Sequence, residues 1–407
     1  MNRTSLLDLP ARPRATAAAP WRETRPARHG RAPGLFRSFF MGGFESSSHR
    51  RADGRQLDLV AATRHDEHAA ADYGLVAACG IETVRDALRW HLVEAGPPGR
   101  YDWSSALPML RAAREAGVQV IWDLCHYGVP HGLDVWSQEF LDRFAAFCAA
   151  AARIVRDEGD GEAPFYCPVN EINYWAWAGG DHARMYPHAV GRGPELKRQL
   201  ARAAIVATDA VRSVEPRARF INAEPLIHVT TPPEAPAKDV AGAAEHREAQ
   251  FEACDMIAGR LHPELGGSED HLDVVGVNFY PENQLFRAGD TIAMGHWLYR
   301  PLHRLLADVH ARYGRPLLVT ETGAEGANGP GWLRYVGGEV RAALRAGVPV
   351  EGVCLYPVMD YPGWKDDRHC RCGLIRAEGD WRDRAVDEEL FAQLAEEQAL
   401  TTLAAAP

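Results

Sequence analysis

The chain has 407 residues, 46% of them hydrophobic, and a formal net charge of -10. That length supports a large buried core, and barrels of alternating strand and helix exceed about 250 residues as one unit. Basic residues cluster only near the N-terminus, which argues against a nucleic-acid groove, and no run approaches the roughly 18 apolar residues of a membrane span.

In chain order, the first 34 residues are rich in arginine, alanine and proline. They bury too little to order themselves and read as a disordered tail. They also lack the continuous apolar stretch of a secretion signal, so a cytoplasmic protein is expected. Residues 35–400 show no composition break and read as a single domain.

Within it, short apolar runs at 38–45, 82–90, 118–126, 165–171, 219–225, 272–280, 315–323 and 350–360 read as strands. Longer segments of helical spacing separate them. Phe140, Phe144, Phe147, Cys148, Ala151, Ile154 and Val155 form one such face, with Ser137 as its N-cap. Leu196, Leu200, Ala203, Ala207 and Val211 form another, and Glu339, Val340, Ala343 and Leu344 show the spacing again. Eight strand-helix units predict an α/β fold, a (β/α)8 TIM barrel. An open doubly wound sheet would want a Gly-rich phosphate turn after strand one, and "GGFESSSHR" is not G-x-G-x-x-G.

Most of the eight cysteines sit inside apolar runs, where a thiol behaves as a small hydrophobe. "HCRCG" offers zinc-type ligands without a second Cys-x-Cys pair, so no metal and no cofactor is expected.

Catalytic groups of a barrel project from the C-terminal ends of its strands. The strand ends here carry Glu45 with His49 or Arg50, Arg85 with Arg89, His126, Asn170 with Glu171, Glu224, Asn278 with Tyr280, Glu321, and Tyr356 with Asp360. One charged strand end reads as a structural ion pair; a ring of them has no stabilising purpose. Glu171 and Glu321, on the fourth and seventh strands, suit a carboxyl pair facing across a substrate, as glycoside hydrolysis requires. Tyr174, Trp175 and Trp177 follow Glu171, where the tryptophans either stack on sugar rings or pack beneath the loop.

These residues resemble glycoside hydrolase family 1, the β-glucosidase family, and more broadly its clan of barrel hydrolases. The likeness runs from about Phe36 to Leu390 and rests on ordered segments: "LFRSFFMGGFESSSHR", "ETVRDALRW", "LCHYGVP", "CPVNEI", "DVVGVNFY", "VTETG" and "YPVMDYPGW". The resemblance implies a retaining enzyme acting on a small glycoside or oligosaccharide. Glu171 would be the acid/base and Glu321 the nucleophile, with carboxyl groups about 5 Å apart. It further implies that Arg85 and Tyr280 flank the nucleophile, Asn170 holds a sugar 2-hydroxyl and His126 a neighbouring hydroxyl. Asn278, Glu224, Tyr356, Trp364, Trp175 and Trp177 complete the expected substrate-binding set.

Departures from the family pattern fall around this pair. A glutamine that clamps the sugar is replaced at Arg50, with His49 beside it; a proline is Ile172, an asparagine Thr322 and a tryptophan Tyr356. Arg50 either selects an anionic sugar or pairs with Asp53 or another acid. A transglycosidase or endo-glycanase would use the same pair, and a non-catalytic carbohydrate-binding barrel is the remaining alternative. The sequence is silent on oligomeric state.

Overall fold

Every predicted apolar run contains a strand, and each strand is as long as or shorter than its run. In the computed structural model, which describes residues 34–404, they are β1 (Phe40–Gly43), β2 (Thr83–Ala87), β3 (Gln119–Asp123), β4 (Phe165–Cys167), β5 (Arg219–Pro225), β6 (Val274–Asn278), β7 (Leu317–Thr322) and β8 (Val350–Leu355). The expected disordered tail, but for Gly34, lies outside the described residues.

Each strand pairs in parallel with the next, and β8 returns to β1 through Phe40 opposite Val353, closing an eight-stranded barrel. The chain is therefore a (β/α)8 barrel. Side chains alternate along a strand, so every second residue points inward. Met41, Ile121, Phe165, Ile221, Val274, Leu318, Cys354 and Tyr356 fill the interior, with Leu35 and Phe36 packed against them. Gly43 lacks a side chain where the Tyr356 ring passes: a Cβ there would lie 2.2 Å from the ring. That close approach requires glycine.

The outer layer is helical. Gln138–Glu158 starts where Ser137 Oγ accepts the Phe140 amide at 3.2 Å, and it buries the predicted phenylalanine face against Trp90. Gly193–Val214 buries Leu196, Leu200, Ala203, Ala207 and Val211. Each buried phenylalanine, leucine or valine of these faces contributes about 1.5–3 kcal/mol. Of the eight cysteines, all unpaired, seven are buried. Among the described residues no helix is long and apolar enough to cross a membrane.

Candidate active site

The polar strand ends meet on one face of the barrel. At its centre Arg85, inward on β2 and 1% exposed, donates to side-chain oxygens of three residues. Its Nε and Nη2 donate to Asp123 at 2.8 Å each, Nη1 to Glu321 Oε1 at 2.7 Å, and Nη2 also to Asn170 Oδ1 at 2.7 Å. The other oxygen of Glu321 accepts from the Tyr280 hydroxyl at 2.9 Å. Two donors, one of them cationic, thus hold both oxygens of Glu321 in place.

Glu171 has a different setting. Its backbone takes φ +46° just after β4, turning the carboxyl over the barrel mouth. Asn278 Nδ2 donates to Oε1 at 2.8 Å, and the Tyr127 hydroxyl donates to Oε2 at 2.7 Å. Burial, followed by the charge of Glu321, pushes its pKa up to about 8 despite these donors. Asn278 is fixed in turn by Thr320, whose hydroxyl donates to its Oδ1 at 2.6 Å.

Asn170 and His126 complete the floor. The Asn170 amide meets His126 Nε2 at 2.9 Å and the Tyr127 hydroxyl at 3.1 Å, while His126 Nδ1 faces Asp123 at 2.8 Å. This places the imidazole proton on Nδ1. Burial alone would raise the Asp123 pKa, but Arg85 and His126 hold it below the usual range. Tyr356 lies under the Arg85 guanidinium, 5.5 Å from ring centre to Cζ, and accepts the Ser46 amide at 3.1 Å.

Other expected sugar ligands sit in varied settings. Both oxygens of Glu224 accept backbone amides, from Ile172 at 2.8 Å and Asn173 at 2.9 Å, so Glu224 fixes the turn that carries Glu171 rather than facing a sugar. A proline at position 172 could not donate that first bond, which gives the Ile172 departure a structural reason. Trp175 is fully buried and its Nε1 donates to the Tyr186 carbonyl at 2.7 Å; it packs beneath the loop. Trp177 is 40% exposed, with the Arg184 guanidinium 4.3 Å above its ring. Thr322 donates to the Phe279 carbonyl and accepts from Trp332 Nε1.

The first loop also differs in register from expectation. Arg50 sits over the Tyr186 ring at 5.4 Å, and Asp53 pairs with Arg51 instead. His49 is the buried residue, against Tyr127 and Trp364, with its Nδ1 lacking a partner among the described residues. Burial, with His126 and Arg51 nearby, lowers its pKa to about 3, so it is neutral. Trp364 Nε1 likewise lacks a partner among the described residues, so two buried ring nitrogens stand unpaired side by side.

Three residues absent from the sequence-based set belong here, beside Glu45, which the strand ends already named. Asp123 anchors Arg85 and His126; an acid inside an apolar strand, three residues before His126, was its signal. Thr320 orients Asn278. Tyr127, at φ +69°, had no sequence signal beyond its place beside His126. Glu45, two residues past Gly43, is buried with Oε1 accepting the Ser47 amide at 3.0 Å; burial raises its pKa, and no cation pairs with it among the described residues.

Among solved structures, the chain resembles the family 1 β-glucosidase of Thermotoga maritima, at 16% identity and TM-score 0.71 over 89% of this chain and 97% of that one. The Thermotoga maritima β-glucosidase in complex with deoxynojirimycin matches at TM-score 0.71 and 15% identity, covering 89% and 97%. The AHE enzyme of Alicyclobacillus herbarius gives TM-score 0.73 at 19% identity, covering 88% and 98%. These likenesses establish a shared (β/α)8 barrel fold. No protein-family model and no curated protein matches the chain.

Proposed function

We propose that the chain is a retaining glycoside hydrolase that removes a β-linked sugar from a small glycoside, with Glu321 as nucleophile and Glu171 as acid/base. The observation that carries this reading is the contrast between two converging carboxyls: Glu321 accepts from the Arg85 guanidinium and the Tyr280 hydroxyl, while burial and the charge of Glu321 push Glu171 up to about 8. Opposite environments for a carboxyl pair are what this chemistry needs.

In the first step Glu321 attacks the anomeric carbon as the glycosidic C–O bond breaks, and Glu171 gives its proton to the departing oxygen. In the second, Glu171 takes a proton from water, whose oxygen displaces Glu321 and releases the sugar. Forming the ester removes the Glu321 charge, so the push on Glu171 falls as it must become a base. Deoxynojirimycin bound to a fold neighbour supports a sugar-sized occupant. The unpaired cysteines favour a reducing, cytoplasmic setting.

A panel of nitrophenyl β-glycosides spanning gluco, galacto, manno, fuco and glucuronic sugars tests the reading. Arg50 is engaged by Tyr186, and the unpaired acid Glu45 lies inside the mouth, so neutral sugars are expected to be cleaved at least ~10-fold faster than the glucuronide. Release from none of them would overturn the proposal.

A further inference from the structure

Glu171 and Glu321 are joined by an unbroken chain of hydrogen bonds. Arg85 donates to Glu321 at 2.7 Å and to Asn170 at 2.7 Å; Asn170 meets the Tyr127 hydroxyl at 3.1 Å; Tyr127 reaches Glu171 at 2.7 Å. Only the last link touches the acid/base. Tyr127 is also the one member with no other evident role, since its ring is 1% exposed and its hydroxyl has these two partners.

The direction of each bond is fixed. Asn170 Oδ1 accepts from Arg85, so its NH2 must donate, to His126 Nε2 and to Tyr127. Tyr127 therefore uses a lone pair toward Asn170 and points its own proton at Glu171 Oε2. Burial of Tyr127, with Glu171 and Glu321 close by, raises its phenol pKa well above the ordinary value, so it stays a donor. Asn278 holds the other oxygen. Between them the carboxyl plane is set.

We propose that Tyr127 is a positioning residue of the active site: its hydroxyl, locked as a donor by the Arg85–Asn170 pair, orients Glu171 and sets the pH range over which Glu171 carries its proton. The proposal rests on Glu171 being the acid/base. The groups that face Glu171 are Glu321 on β7, Glu224 on β5, Asn278 and Tyr280 on and after β6, Tyr174 on its own turn, and Tyr127 after β3. Of these, Tyr127 and Asn278 donate to its carboxylate form and favour it.

Tyr127→Phe removes the donor and leaves the ring. A lost hydrogen bond to the charged form should raise the Glu171 pKa by about one unit. Two consequences follow for rate. The alkaline limb of kcat/KM moves to higher pH by the same amount, and kcat falls more for poor leaving groups, which need the proton, than for dinitrophenolate, which does not.

The test is a 13C NMR titration of glutamate-labelled protein, with the Glu171 signal assigned by its loss in Glu171→Gln. Wild type should titrate near 8, Tyr127→Phe about one unit higher, and 3-fluorotyrosine at position 127, a stronger donor, lower than wild type. Coincident Glu171 titrations in all three proteins would overturn the proposal. The titration needs no substrate, so inactivity on every glycoside would count against the hydrolase reading and leave this result standing by itself.

Discussion

At the scale of single residues, what the Glu171 carboxyl does is decided by its burial and the charge beside it, against the pull of its donors. Glu171 has a folded pKa of about 8 against an ordinary value near 4.5, so the fold holds a proton that the unfolded chain releases. Between those values stability falls as pH rises, because the folded state binds more protons. Glu171→Gln removes that penalty: its melting temperature should exceed wild type by about 1–3 °C at pH 8–9 and match it near pH 4. A scan showing the same difference at both pH values would contradict the assignment. The two glutamates were legible in sequence because carboxylates end apolar strands. The His49 and Arg50 register was not, because β1 stops at Gly43 and the irregular residues that follow break the count of alternation.

At the scale of elements, the turn after β4 is held from outside. Glu224, on β5, accepts the two amides that follow Glu171, and burial raises its pKa to about 7 even with those amides holding it down. Glu224→Ala leaves both amides without that partner, costing about 1–3 kcal/mol, and frees a strained φ of +46° to relax. We expect kcat lowered ~10- to 100-fold with KM little changed, read by steady-state kinetics. Loss confined to KM would mean that Glu224 binds substrate. No sequence pattern announces such a contact: the carboxylate and the amides it fixes are 51 and 52 residues apart.

At the scale of the whole molecule, the barrel is clasped where its first and last units meet. His65 is fully buried between Asp72 at 2.9 Å and Asp86 at 2.8 Å, stacked on Phe44, and Arg384 reaches Asp72 at 2.8 Å from the C-terminal side. Burial alone would lower the His65 pKa, but the two aspartates raise it to about 9. A raised folded pKa means the stabilisation is fully present below about 6.5 and lost as pH climbs through 9; it amounts to at most about 3 kcal/mol. His65→Asn should therefore melt lower at pH 6 and converge toward wild type at pH 9.5, and a constant gap would refute the charged clasp. The eight-unit barrel was legible because each strand and helix carries its own local period. This clasp was not, because it joins positions 312 residues apart.

Central to the proposed function is that Glu321 forms the covalent intermediate. Incubation with a panel of 2-fluoro-2-deoxy glycosyl fluorides, followed by peptide mass spectrometry, measures this directly. One fluorosugar should be added to the peptide containing Glu321, and none in Glu321→Ala, whose turnover falls at least ~10³-fold. Label on any other residue, or wild-type turnover in Glu321→Ala, would contradict it.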